Sequence, residues 1–381
     1  MRVLVAPDKF KGSLSAHEAT RAIVRGVIQA YPDALIDPVP MADGGEGTVD
    51  ALVEATGGSI REAVVTGPLG APVTARFGLL GDGSTAVVEM AAASGLVLLP
   101  RQARDPLRTS TRGTGELILA AIAAGARRVI VGIGGSATND GGAGLAQALG
   151  FRLLDRAGQE LEPGGAALER LDRIEGGSDV LARNGVEIAV ACDVDNPLCG
   201  PRGASAVYGP QKGADPAMVA RLDRNLEHWA QVIERDLGRS IRDLPGSGAA
   251  GGLGGGLVAF ASGTLEPGIS LVIRAVGLER RLEQADLCLT GEGALDASSA
   301  HGKTAVGVAR LARSFGCPTI ALVGSIGAGA DAVLDQGIDA YFSLCSAPIS
   351  LDEAIAQGES LLERVAEQAV RAFVAGRRRP R

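Results

Sequence analysis

The sequence predicts an α/β protein with a largely parallel sheet. Three observations carry that reading. Short apolar runs rich in β-branched residues recur along the chain. Segments with helical spacing lie between many of them. The runs end in an acid or a glycine loop, as in PDK, MADGGEG, GGSATND, CDVDNP and GEG. Strands alternating with helices point to βαβ units, and in such sheets ligands bind beyond the carboxyl ends of the strands.

The elements follow in order. The first run, residues 2–6, leads into PDKFKGS. Ser15 with Glu18 three residues later forms a capping box that opens a helix, and Ile23, Val27 and Ala30 follow at helical spacing. Runs at 35–39, 128–133 and 187–191 read as further strands. Asp215 before Pro216 is an N-cap followed by proline at the first helical position. Met218, Leu222, Leu226, Trp229, Ile233 and Leu237 then form one apolar stripe, which reads as core packing. Runs at 286–290, 319–323 and 340–344 complete the set. At 381 residues the chain is long enough for two domains or one large one. No repeat or linker marks a boundary. The terminal GRRRPR reads as a solvated end.

Composition narrows the function. A net charge of −7 and a pI near 5.2 argue against broad nucleic-acid binding. Five cysteines without a C-x-x-C argue against a disulfide framework or a structural zinc site. No apolar stretch approaches the ~20 residues of a membrane span. MRVLVAPD reads as a strand rather than a signal peptide, so a cytoplasmic protein is expected. Glycine is the outlier: 55 residues, about twice the usual ~7%. The glycines cluster after apolar runs, where backbone can come close to a ligand. Of 37 basic residues only Lys9, Lys11, Lys212 and Lys303 are lysines. All sit in the short motifs DKFKGS, PQKGAD and HGKT, and a compact ammonium suits a confined phosphate site.

Three segments imitate nucleotide fingerprints. GIGGSATNDGGAG (132–144), with Asp155 further on, follows a Rossmann layout, but polar Ser136, Thr138, Asn139 and Asp140 interrupt the place where the helix should open. GSGAAG (246–251) satisfies G-x-G-x-x-G with no convincing strand before it. HGKT (301–304) ends like a Walker A loop, but the required earlier glycine is Ala297. Together they supply what phosphoryl transfer needs: glycine turns at helix starts, lysines, and carboxylates at strand ends for Mg²⁺ or a substrate proton. The acid candidates are Asp8, Asp43, Glu46, Asp140, Asp193, Asp195, Glu292 and Asp296. Only His301 among the histidines has a site-like context.

APDKFKGSLSAHEA, MADGGEGT, EMAAASGL, STRGTGELI, GIGGSATNDGGAG, ACDVDNPL, GPQKGAD and GSGAAGGLGGGL, in this order, resemble the bacterial glycerate kinases that make 2-phosphoglycerate, a likeness that runs from about residue 3 to about 345. The resemblance implies Mg²⁺- and ATP-dependent phosphorylation of D-glycerate. It also implies two α/β domains. One is flavodoxin-like, with a doubly wound parallel sheet, and built from both chain ends, 1–65 and 286–381. The other, 66–285, is inserted. One stretch departs from the family's G-E-G-R-[IL]-D-x-Q-S-x-x-G-K-x-P: here GEGALDASSAHGKTA has Ala294 for the arginine, Ser298 for the glutamine and Ala305 for the proline.

Chemistry and strand position distribute the roles. Arg112 suits the glycerate carboxylate, since a guanidinium fork matches it bidentately, with Ser136, Asn139 and Asp140 as further substrate contacts. Lys9 and Lys11 are expected at the transferring group. Lys212, Lys303, Glu292 and the glycines Gly251, Gly252 and Gly254 are expected around the ATP phosphates. Asp193 is the preferred base, and Asp8 and Asp43 the Mg²⁺ ligands. Two rival readings stay open: an NAD-dependent oxidoreductase of a small hydroxy acid, suggested by the glycine segments, and a non-catalytic glycerate or nucleotide sensor, suggested by the altered 291–305 stretch.

Overall fold

The computed structural model describes residues 1–177, 181, 185–297, 299 and 303–377. Ser298 and His301, and the tail beyond 377, lie outside the described residues. The strands, in chain order, are β1 (Arg2–Pro7), β2 (Leu35–Pro38), β3 (Ser59–Thr66), β4 (Pro72–Leu79), β5 (Thr85–Glu89) and β6 (Arg128–Gly132). They continue with β7 (Phe151–Leu154), β8 (Arg173–Gly176), β9 (Glu187–Ala191), β10 (Thr264–Glu266), β11 (Leu287–Leu295), β12 (Thr319–Ile326) and β13 (Ala340–Ser343). All seven runs read as strands are strands.

Two compact units share the chain. The first is Met1–Asp43, Asp50–Gly57 and Val272–Arg381; the second is Gly44–Val49 and Gly58–Leu271. The division therefore departs from the expected 65/66 and 285/286. Hydrogen bonding explains why. β3 pairs antiparallel with β4 along its whole length, which carries residues 58–65 into the second unit. Residues 272–285 join the first, where Arg281 pairs with Asp37 and donates to the Ala55 carbonyl at 3.0 Å.

The first unit holds a five-stranded sheet in the order β13-β12-β11-β1-β2, parallel at every pairing. Helices cover both faces. On one, Val3, Val5, Leu289 and Leu322 pack against Ile23 and Val27 of helix Ala16–Ala30 and Leu362 and Val370 of helix Gly358–Arg377. Gly26 is needed here, since a Cβ would lie 2.3 Å from the Glu363 carbonyl. On the other face Leu295, Ala321 and Val323 pack against Val306 and Ala309 of helix Thr304–Ser314. This is a doubly wound sheet, and its strand order reverses between β1 and β11, the place where such sheets form a ligand crevice. The expected capping box is present: Ser15 Oγ accepts from Glu18 N, and Ser15 N donates to the Glu18 carboxylate.

The second unit carries a six-stranded mixed sheet, β10-β9-β6-β5-β4-β3, with β4 antiparallel to both neighbours, and a two-stranded ribbon β7-β8. Its core gathers Val88, Val129, Val131, Val190, Leu117 and Ile118. Helix Pro216–Leu237 starts as expected, with Asp215 accepting from Met218 N at 2.8 Å. Leu222, Leu226, Trp229 and Ile233 of its stripe are buried. Trp229 stacks on Phe260 at 5.3 Å and donates Nε1–H to the Gly141 carbonyl at 3.0 Å.

Candidate functional site

The first unit concentrates titratable groups where its strand order reverses. β1 ends at Pro7, and Asp8 follows directly, held by Asp8 N donating to the Gly291 carbonyl at 2.9 Å. Its side chain is buried. Oδ1 accepts from Lys9 N at 2.7 Å and Oδ2 accepts from the Thr304 hydroxyl at 2.6 Å. Burial nevertheless pushes its pKa up to about 6, with Thr304 opposing and the negative charge of Asp43 adding to the rise. Asp43 lies 3.8 Å from the Lys9 ammonium.

Glu292 sits in β11 beside this acid. The strand runs past the expected end at 290 because Gly291 permits close approach to β12: a Cβ there would lie 2.2 Å from the Leu322 carbonyl. Glu292 is 9% exposed, and its Oε1 has no hydrogen-bond partner among the described residues. Burial raises its pKa to about 7; Lys303 opposes this, while Asp8 adds to it. An unpartnered buried carboxylate oxygen costs free energy and is an open position for a proton or a cation. Lys303 lies 3.8 Å from Asp296 and occupies the N-cap position of helix Thr304–Ser314, with no side-chain cap of its own. Lys11 is exposed. The structure thus brings together Asp8, Lys9, Asp43, Glu292 and Lys303 within one unit. Thr304 is the member the residue-by-residue reading missed; its signal was the Lys-Thr ending of HGKT.

The departures in this stretch are mild. Ala294 is exposed near the end of β11. Ala305 is buried in the first helical turn, where a proline is also tolerated.

In the second unit the polar loop 136–142 is a buried structural knot. Asp140 is fully buried and accepts from Thr111 N at 2.8 Å, Thr111 Oγ1 at 2.9 Å, and Gly142 N and Gly144 N at 3.2 Å. Burial raises its pKa against these bonds. Asn139 donates Nδ2–H to Ser205 Oγ at 2.9 Å. Ser136 is 6% exposed. Lys212, expected on phosphate, is 1% exposed and donates from Nζ to the Thr138 carbonyl at 2.7 Å. Burial lowers its pKa to about 7, with Asp140 opposing. Its ammonium is engaged inside the fold.

The glycines expected around ATP are also explained by packing. A Cβ on Gly251 would lie 1.9 Å from the Thr138 carbonyl, one on Gly252 2.8 Å from the Gly141 Cα, and one on Gly254 2.4 Å from the Gly246 carbonyl. Gly251 and Gly252 have φ of +71° and +91°. Two glycine-rich segments therefore lie backbone against backbone.

Three further expectations meet a different local geometry. Asp193 is exposed, and its Oδ1 accepts from Gly268 N at 2.9 Å, at the first residue of helix Gly268–Val276. That bond caps another segment's helix. Arg112 donates Nε–H to Glu116 at 2.9 Å, one helical turn away. Asp155 closes its own turn, accepting from Ala157 N and Gln159 N at 2.9 Å, which removes the acid that the Rossmann reading needed.

The glycerate kinase family model matches residues 3–374. The chain belongs to the glycerate kinase family. A family relative named glycerate kinase from Bacillus subtilis (strain 168) is 54% identical over 367 residues, covering 96% of each chain. One named glycerate 2-kinase from Escherichia coli (strain K12) is 51% identical over 355 residues, 93% of each. Among solved structures, a protein designated glycerate kinase 2 from Salmonella typhimurium LT2 superposes with a TM-score of 0.90 at 46% identity, covering all of both chains. The glycerate kinase family thus accounts for the fold and for the ordered motifs together.

Proposed function

We propose that this protein transfers the γ-phosphoryl group of ATP to the 2-hydroxyl of D-glycerate, giving 2-phosphoglycerate and ADP. Family membership supports glycerate as acceptor. The observation that carries the chemistry is Glu292: a buried carboxyl with an oxygen unpartnered among the described residues, its pKa raised to about 7, at the reversal point of a parallel sheet. A base is most effective when its pKa lies near the working pH.

In this reading the 2-hydroxyl oxygen attacks the γ-phosphorus, the bond to the β–γ bridging oxygen breaks, and Glu292 takes the hydroxyl proton. Asp8 and Asp43 fit Mg²⁺, which is commonly held by one or two carboxylates with water and phosphate completing its shell. When bound, the ion neutralises charge on the β- and γ-oxygens. Lys9, Lys11 and Lys303 donate to phosphate oxygens, and the start of helix Thr304–Ser314, where Lys303 makes no side-chain cap, offers N–H groups to the same charge. Thr304 fixes the Asp8 carboxylate through its 2.6 Å bond.

The test is ³¹P NMR of the product formed from ATP, Mg²⁺ and D-glycerate. A phosphomonoester coupled to the C2 proton is expected. A 3-phosphoglycerate product refutes the regiochemistry. Absence of ADP with reduction of added NAD⁺ refutes the reaction class.

A further inference from the structure

A cavity of about 310 Å³ lies wholly within the second unit, and none of the acid cluster lines it. Its polar lining is rich in donors. The Arg108 side chain has no ion pair or hydrogen bond among the described residues. Arg112 spends only Nε–H on Glu116, and its terminal nitrogens have no hydrogen-bond partner among the described residues. Ser110 lines the same space and is 3% exposed. Its oxygen accepts from Arg112 N at 3.2 Å, yet its own proton has no acceptor among the described residues. Helix Arg112–Ala123 begins here, its N-cap residue Thr111 making no side-chain cap bond, so its positive end adds to the field. The lining carboxylate, Glu162, is engaged by Arg170 at 3.2 Å. Leu107, Pro163 and Ala166 supply an apolar wall.

We propose that this cavity is a binding site for a short organic phosphomonoester. A guanidinium fork saturates the two oxygens of one carboxylate. Two forks and a buried hydroxyl need an acceptor with more oxygens, and a phosphomonoester presents three. The apolar wall takes the carbon body. The volume sits at the small end of ligand pockets and suits a few heavy atoms beyond the phosphate rather than a nucleotide. The lining carboxylate, Glu162, is committed to Arg170, so in this proposal the cavity binds without turning over. It therefore stands independently of the proposed reaction.

The experiment is equilibrium dialysis of the full chain with ¹⁴C-labelled 2-phosphoglycerate, alongside steady-state kinetics. Wild type is expected to bind one equivalent more than Arg108→Gln. Ala166→Leu, which fills the apolar wall, is expected to lose the same equivalent, and both variants to keep wild-type kcat and KM for D-glycerate. Inorganic phosphate is expected to displace this equivalent only at a concentration at least about tenfold higher, a difference of about 1.4 kcal/mol. Unchanged stoichiometry in Arg108→Gln overturns the proposal. So does a large rise in its KM for D-glycerate, which would make the cavity the substrate's own. Equal competition by inorganic phosphate refutes the organic part. A chain that makes no phosphorylated product yet loses an equivalent in Arg108→Gln fails the proposed function and keeps this site.

Discussion

Replacing Glu292 with glutamine separates its catalytic role from its cost to the fold. In the folded protein burial lifts the carboxyl from 4.5 to about 7. At about 1.4 kcal/mol per pH unit, holding it ionised at pH 8 costs the fold about 3 kcal/mol. The folded-state value lies above the unfolded one, so the unfolded chain releases its proton first as pH rises. The advantage of the neutral carboxyl is complete below about pH 4.5 and is lost as pH climbs through about 7. Asp8 acts in the same direction, raised from 3.8 to about 6. Glutamine carries no such penalty and keeps the shape. In metal-free buffer, Glu292→Gln should therefore be more stable than wild type to urea at pH 8 by about 3 kcal/mol, with the gain shrinking to below about 1 kcal/mol at pH 5. With Mg²⁺ and ATP restored, kcat should fall about 10²–10⁴-fold, the usual cost of losing a general base. A sharp rise in KM for Mg²⁺-ATP with kcat preserved would make Glu292 a metal ligand instead. Equal or lower stability at pH 8, or kcat above about a tenth of wild type, would refute the reasoning.

The lysines should divide by environment. Lys9→Arg and Lys303→Arg should keep wild-type melting temperatures and lose at least about tenfold in kcat/KM, about 1.4 kcal/mol at the transition state; two near-normal enzymes would remove the phosphate role. Lys212→Arg should instead destabilise the protein by about 1–3 kcal/mol, because a wider group must enter a fully packed site; a stable variant with impaired ATP binding would restore the phosphate assignment. Asp193→Asn should keep both its melting temperature and most of its kcat, since an amide can still accept from Gly268 N, whereas Asp193→Ala should cost about 1 kcal/mol as a lost cap; a hundredfold fall in kcat for Asp193→Asn would return it to the base role. Gly251→Ala should cost more than about 3 kcal/mol, combining a positive φ with a Cβ 1.9 Å from the Thr138 carbonyl. Unaltered urea stability would exclude packing as the reason for that glycine.

Much of the local structure was legible because it rests on short-range rules. Ser15 and Glu18 form their capping box, Asp215 caps the helix it precedes, and the stripe through Leu226 and Trp229 is buried. The β3–β4–β5 meander was not read: β5 is buried, but the edge strand β3 carries exposed Arg61, Glu62 and Val64. A half-exposed edge strand gives no continuous apolar run. The loss of residues 58–65 to the second unit follows from that omission.

The sequence by itself determined the fold class, the order of the parallel strands' motifs, and the presence of acids and lysines at strand ends. Those properties depend on residue type and on spacing along the chain. Which acids matter was decided by the tertiary structure. Asp8 and Glu292, 284 positions apart, become a coupled pair only because β1 and β11 lie side by side. Lys212 and Lys303 look alike in their Gly-flanked motifs, yet one is sealed against the Thr138 carbonyl and the other reaches Asp296 near the surface. Glycine at 251 and at 26 is demanded by a neighbour's backbone. Burial and close approach are set by which distant segments meet, and free energies of ionisation follow burial more than they follow the motif in which a residue stands.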